Sequence, residues 1–212
     1  KNVKLIAGIP LIAHTITQAI KSNCFDKVVV SSDDAEILEV SKKYGAYPLN
    51  RPADLATDAA GTIPALNHAF IQAESLFSNS YSVVCLLQPT SPLRTSEDIS
   101  SCIKQLEDSK LGNIFSVCHT KASPYYTLIE KDKNSGVIQL SKSSDATRRQ
   151  DLPDVYEING AIYAWKKEQF LKDSKTIQPN SEIYIMPHER SLDIDTPFDF
   201  ELCRLVLENQ SS

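Results

Sequence analysis

Cys85-Leu86-Leu87-Gln88-Pro89-Thr90-Ser91-Pro92-Leu93-Arg94 is the stretch whose reading decides the fold. The apolar run Val83–Leu87 predicts a buried central strand. It stops at Gln88, and Pro89 and Pro92 follow. Neither proline can continue a central strand, because it has no N–H to give to the ladder. The chain therefore leaves the sheet as a stiff loop carrying Gln88, Thr90, Ser91 and Arg94. In an open α/β sheet, ligands gather beyond the carboxyl ends of the strands. Taken alone, the pattern also describes an ordinary strand-to-helix turn.

Working outward, strand and helix signals alternate. Residues 1–10 read as a short approach segment. Apolar residues at Leu11, Ile12, Ile16, Ala19 and Ile20 predict an amphipathic helix over 11–22. A β-branched strand follows at 27–31. Asp33, with Glu36 three residues on, predicts a capping box for a helix that ends near Tyr44 against Gly45. A short strand at 47–49 leads into the Arg51 loop. Helices are predicted over 62–75, with Pro64 tolerated in the first turn, and from Ser96 or Glu97 to Asp108. Asn113–His119 returns to strand. This alternation implies a mostly parallel sheet inside a three-layer α/β/α sandwich.

The rhythm breaks between residues 121 and 156. Two short strands at 126–130 and 137–140, around Asn134-Ser135-Gly136, read as a hairpin. The organisation expected is an α/β core over 1–120 and 157–212, with a hairpin-containing dimerisation excursion over 121–156. The core resumes with a strand at 160–166. Thr196-Pro197-Phe198-Asp199 opens the last helix, with Thr196 as cap and Pro197 in the first position.

Composition sets outer limits. A chain of 212 residues fits one α/β domain with an excursion. The net charge of −5 argues against a general nucleic-acid footprint. No run approaches the about 20 apolar residues of a membrane span. The five cysteines include no Cys-x-x-Cys pair, which argues against zinc and fits a reducing cytoplasm. The four histidines are scattered, without metal-ligand spacing.

Asp193 and Asp195 are the strongest candidates for chemistry. On a strand, residues two apart share a face, roughly 6.5–7 Å apart. Two carboxylates so placed repel unless a cation lies near them. Mg²⁺ takes one or two protein carboxylates and completes its shell with phosphates and water. Lys1 suits a phosphate as a point charge, and an arginine suits a carboxylate through paired hydrogen bonds. An Asp-x-Asp pair or an isolated cation also describes ordinary solvated surface.

Leu86-Leu87-Gln88-Pro89-Thr90-Ser91-Pro92-Leu93-Arg94 resembles the signature of the cytidylyltransferases that activate nine-carbon acidic sugars, the N-acylneuraminate cytidylyltransferases in particular. Four further segments match in order. They are Lys1-Asn2, Arg51-Pro52-Ala53-Asp54-Leu55, Asn159-Gly160-Ala161-Ile162-Tyr163 and Leu192-Asp193-Ile194-Asp195-Thr196. The resemblance covers essentially the whole chain. It implies a nucleotide-diphospho-sugar transferase-like fold, and CMP transfer from CTP to an N-acylneuraminate with release of pyrophosphate. It implies Mg²⁺, with Mn²⁺ as a substitute, held by Asp193 and Asp195. Lys1 and Asn2 would meet the triphosphate, and Arg51 and Thr62 the cytosine. Gln88, Arg149, Asn159 and Tyr163 would line the sugar site, although Tyr163 reads equally well as core. A cytoplasmic homodimer is implied, with the excursion reaching the other subunit's sugar site.

Two departures accompany the match. The family carries a strand and a basic loop resembling Ala-Arg-x-x-Ser-Lys-Gly just before the Lys-Asn pair, so such a segment is expected upstream of Lys1. Where the family often has a lysine, this chain has Tyr125-Tyr126. Two alternatives therefore stand beside the main reading. One is the same chemistry on legionaminic, pseudaminic or 3-deoxy-octulosonic acid. The other is a nucleotide-binding regulatory module without turnover.

Overall fold

The computed structural model describes residues 1–57, 60–133, 135–144 and 148–210. The first ten residues form a small hairpin rather than a plain approach segment. Strands β1 (Leu5–Ile6) and β2 (Ile9–Pro10) pair antiparallel across Ala7-Gly8. Both turn residues have positive φ, 47° and 77°, as a type I′ turn requires. Alanine is an unusual first residue for such a turn, so the hairpin carries little local signal.

The alternating units follow as α1 (Leu11–Lys21), β3 (Val29–Ser32), α2 (Ala35–Lys43), β4 (Tyr47–Asn50) and α3 (Thr62–Phe77). Next come β5 (Val83–Leu87), α4 (Ser96–Asp108) and β6 (Asn113–His119). The cap of α2 is Asp34, not Asp33: its carboxylate accepts from the N–H groups of Glu36 and Ile37. Gly45 does close that helix, at φ 93°.

The excursion holds β7 (Ile129–Lys131) and β8 (Ile138–Leu140), an antiparallel pair. The core resumes earlier than expected, with β9 (Tyr156–Lys166), then α5 (Lys167–Lys172), β10 (Glu182–Ile185) and α6 (Pro197–Gln210). Thr196 and Asp199 exchange hydrogen bonds at the start of α6, the capping box read from the sequence.

The main sheet runs β10-β6-β9-β5. β10 is parallel to β6, while β9 is antiparallel to both β6 and β5. Three strands thus share one direction and β9 opposes them. β3 and β4 form a separate parallel pair. The strand expected to be central, β5, is instead the last of the four described strands, and only Val84 along it is fully buried. Its apolar run has another cause: both of its faces are covered. Val83, Cys85 and Leu87 pack with Ile99, Cys102 and Leu106 of α4. Val84 and Leu86 pack with Phe70 of α3, Phe170 of α5 and Trp165. These two layers make the three-layer sandwich. Among the described residues, no helix is long and apolar enough to cross a membrane.

Candidate active site

The loop after β5 is held from beneath by Arg94. Its side chain is buried, at 1% exposure. Nη1 donates to the Ala161 carbonyl at 2.6 Å and to the Gln88 carbonyl at 3.3 Å. Nη2 donates to Thr15 Oγ1 on α1 at 2.8 Å. Burial pulls the guanidinium down to about 10, so it stays charged at neutral pH. The sequence placed Arg94 on the loop that leaves the sheet, where ligands gather in such folds. The structure turns it inward, because three segments offer it acceptors there. Gln88 keeps a half-buried side chain, and Thr90 Oγ1 donates to its Oε1 at 3.4 Å.

Opposite the loop, β9 bulges. Phe115 pairs with Tyr163, and Val117 pairs with Ile158. Between those pairs β6 contributes only Ser116, whereas β9 contributes Asn159, Gly160, Ala161 and Ile162. Ser116 Oγ fills the break. It lies 2.6 Å from Asn159 Oδ1 and 3.3 Å from the Ile162 carbonyl as donor, and accepts from the Ile162 N–H at 2.8 Å. Asn159 was expected to meet the sugar, but it is buried and committed elsewhere. Its Oδ1 also accepts from the Ala161 N–H, and its Nδ2 donates to Ser191 Oγ at 2.9 Å. It builds the bulge and ties it to the segment before Asp193. Gly160 takes φ 68° at the crest. A Cβ there would lie 3.6 Å from Gln88 Oε1 and 3.8 Å from Asp193 Oδ2. The bulge thus brings Gln88 and Asp193 to one place at the carboxyl end of β5.

Asp193 and Asp195 do not lie on a strand: residues 191–195 belong to no strand or helix. Other bonds hold them. The Ile194 N–H donates to the Thr90 carbonyl at 2.9 Å, and Ile194 packs with Leu93, Leu11 and Phe200. Just upstream, Arg190 pairs with Asp98 at the start of α4. Lys1 joins the site as well, its Nζ donating to the Ile194 carbonyl.

Asp193 Oδ1 is buried and has no hydrogen-bond partner among the described residues. A buried carboxylate oxygen left so is costly unless something positive meets it. Burial raises the Tyr163 phenol, and the Asp193 charge adds to that rise. Asp195 is exposed, two residues on. Among the described residues, no three His, Cys, Asp or Glu side chains converge to make a complete protein cage for a metal. Two carboxylates, one with an orphaned oxygen, fit a Mg²⁺ ion that draws its other ligands from phosphates and water.

The remaining candidates are spread out. The Asn2 carbonyl accepts from the Ile12 N–H at 2.9 Å, which fixes the approach to α1. Arg51, just beyond β4, binds Ser31 through Nε and Nη2. Thr62 is exposed in the first turn of α3. Tyr163 resolves towards core: it stacks between Phe115 and Trp165 at 9% exposure. Arg149 opens a short 3₁₀ turn, and its side chain lies outside what the structure describes. Thr15, Asp98, Ser116, Arg190 and Ser191 escaped the sequence reading. Only Asp98 left a signal there, the Thr95-x-x-Asp98 spacing of a capping box.

The family model described as "Cytidylyltransferase" matches residues 1–210. A CMP-N,N'-diacetyllegionaminic acid synthase of Legionella pneumophila is 32% identical, over 98% of this chain and 89% of its own length. An N-acylneuraminate cytidylyltransferase of Escherichia coli is 32% identical over all of this chain and 49% of its own length. The post-translational flagellin modification protein B of Campylobacter coli is 30% identical, over 100% of this chain and 89% of its own. Among solved structures, CMP:2-keto-3-deoxy-manno-octonic acid synthetase complexed with CTP superposes with a TM-score of 0.69 at 15% identity, covering 99% of this chain and 92% of that one. At that identity the likeness speaks for the fold alone.

Proposed function

The chain belongs to the cytidylyltransferase family, and on that premise we propose that it transfers CMP from CTP to the anomeric hydroxyl of an acidic 2-keto sugar, releasing pyrophosphate. The acid is an N-acylneuraminate or a relative such as legionaminic or pseudaminic acid, the acids named for its relatives. The observation that carries this reading is the orphaned Asp193 oxygen beside Gln88 and Gly160, at the end of β5. Mg²⁺ or Mn²⁺ bound by Asp193 and Asp195 would neutralise phosphate charge and acidify the attacking hydroxyl. Lys1, with Asn2 beside it, sets an ammonium next to that carboxylate segment, where a triphosphate needs charge neutralised. Gln88 supplies both a donor and an acceptor to sugar hydroxyls. Arg51, whose Nε and Nη2 are held by Ser31, and Thr62 would meet the cytosine.

The same reading includes pairing with a second copy of the chain. Tyr126, Leu128, Ile129, Val137, Ile138 and Leu140 of the excursion are all at least 43% exposed. A two-stranded hairpin is marginal alone and gains stability from packing. Twofold dimers are the commonest way to supply it.

A coupled pyrophosphate assay across a panel of 2-keto sugar acids, with CTP and UTP in parallel, tests the activity. Turnover with one acid and CTP is expected, and cytosine's N4 amino group is the feature that rejects UTP. No release with any acid would leave a binding module in its place. Sedimentation tests the dimer, and a monomer at micromolar concentration overturns it.

A further inference from the structure

Arg94 sits one layer behind the site, and its charge has no carboxylate within ion-pair distance among the described residues. Its Nε is buried and has no hydrogen-bond partner among the described residues. A buried guanidinium without an ion pair is a costly way to hold a fold, and a well-packed apolar side chain of similar volume often serves stability as well. What the guanidinium does that an apolar chain cannot is grip acceptors in a fixed planar fork. Here the acceptors belong to three separate segments. The Gln88 carbonyl begins the loop, the Ala161 carbonyl adjoins Gly160, and Thr15 lies on α1. Thr15 Oγ1 closes the set by donating back to the Gln88 carbonyl at 3.4 Å. Gln88 and Gly160 are the residues whose approach, with Asp193, shapes the site.

The geometry points to Arg94 as a positioning residue for the transfer reaction, one that fixes the Gln88 backbone against the Gly160 bulge without touching substrate. This rests on the functional reading above. Lysine cannot replace it, since a single ammonium cannot span both carbonyls and the hydroxyl in one plane. A misplacement of about 1 Å in a positioned group is enough to cost about 10²-fold in rate.

The test uses Arg94→Met and Arg94→Lys in the full chain. Turnover, thermal unfolding and amide hydrogen exchange are followed together. Both variants are expected to stay folded and to lose about 10²-fold in kcat/KM for the sugar acid, with the KM for CTP nearly unchanged. Exchange is expected to quicken in residues 88–94 and 158–163 and to stay level elsewhere. Full activity in folded Arg94→Met, or a loss that only tracks the unfolded fraction, overturns the proposal. Full rescue by lysine also overturns it. Should Arg94→Met fail to fold, Thr15→Val removes one acceptor and is expected to give a smaller loss, about tenfold, with the same exchange pattern. Wild-type chain that turns over no acid refutes the functional reading instead. Exchange alone then decides for Arg94, and unchanged protection at both segments refutes its role.

Discussion

Arg190 grips Asp98 with two hydrogen bonds, Nε to Oδ2 at 2.8 Å and Nη2 to Oδ1 at 2.7 Å. The pair joins the first turn of α4 to the turn that precedes Asp193. Asp98 is buried, and the Arg190 side chain keeps about a third of its surface, 34%, in water. Burial pushes the Asp98 carboxyl up, but the Arg190 hydrogen bonds, the Thr95 N–H and the Arg190 charge outweigh it. The net result lies below the ordinary carboxyl value.

The sign of the pH effect follows. A carboxyl depressed in the fold stabilises it above the unfolded pKa, near ~3.9, and that contribution fades as pH falls through the lower folded value. Arg190→Met is therefore expected to lower Tm at neutral pH, by the equivalent of about 3 kcal/mol, the low end for breaking a buried pair. The gap to wild type is expected to close below about pH 3.9. Thermal melts across pH check this, and a gap that persists into acid rules the linkage out.

Gly160→Ala separates room from strain. The added methyl would meet Gln88 and Asp193 at ordinary contact distances, so nothing must move aside. The left-handed backbone still costs an alanine about 1–2 kcal/mol. The methyl also fills the gap between two groups proposed to meet substrate. Activity is expected to fall much further than stability. Melts and initial rates on one preparation decide it, and a rate loss no larger than the folded fraction explains would place the substrate elsewhere.

The sequence carried the β/α rhythm because helix and strand periods are local. Asn113–His119 and the Thr196–Asp199 cap emerged as read, since each depends on neighbours a few residues away. What failed was long-range. Nothing in Val83–Leu87 tells a strand covered on both faces from one paired on both edges. Asn159 looked like an amide for hydroxyls, because its partners Ser116 and Ser191 lie 43 and 32 residues away. Arg94 looked like a loop cation, because its acceptors sit 67 and 79 residues off. The Asp193–Gln88 approach was legible only as two motifs, and it took the bulge at Gly160 to join them.

Ser116→Ala probes that bulge. Its Oγ is the group that satisfies Ile162 N–H and Asn159 Oδ1 across the break in register. Removing it leaves buried polar groups short of partners, at about 1–3 kcal/mol. A fall in Tm is expected, together with faster exchange of the Ile162 amide. An unchanged Tm would mean that the bulge is held by Asn159 and Arg94 without it.

Asp193→Asn is the sharpest test of the site. The change keeps the side chain's shape and removes a negative charge from a buried oxygen that has no hydrogen-bond partner among the described residues. Stability is expected to hold or rise, because groups kept for activity often cost the fold. Activity is expected to fall by about 10²-fold or more, the scale of losing a charge aimed at a transition state. Asp195→Asn, exposed and two residues away, is expected to lose activity while leaving Tm unchanged. A binding readout separates metal loss from other causes. Mg²⁺ with CTP is expected to raise the Tm of wild type through linkage, and to do so less in either variant. Equal Mg²⁺-dependent shifts in all three proteins would show that neither carboxylate holds the ion, whatever the assay rates say.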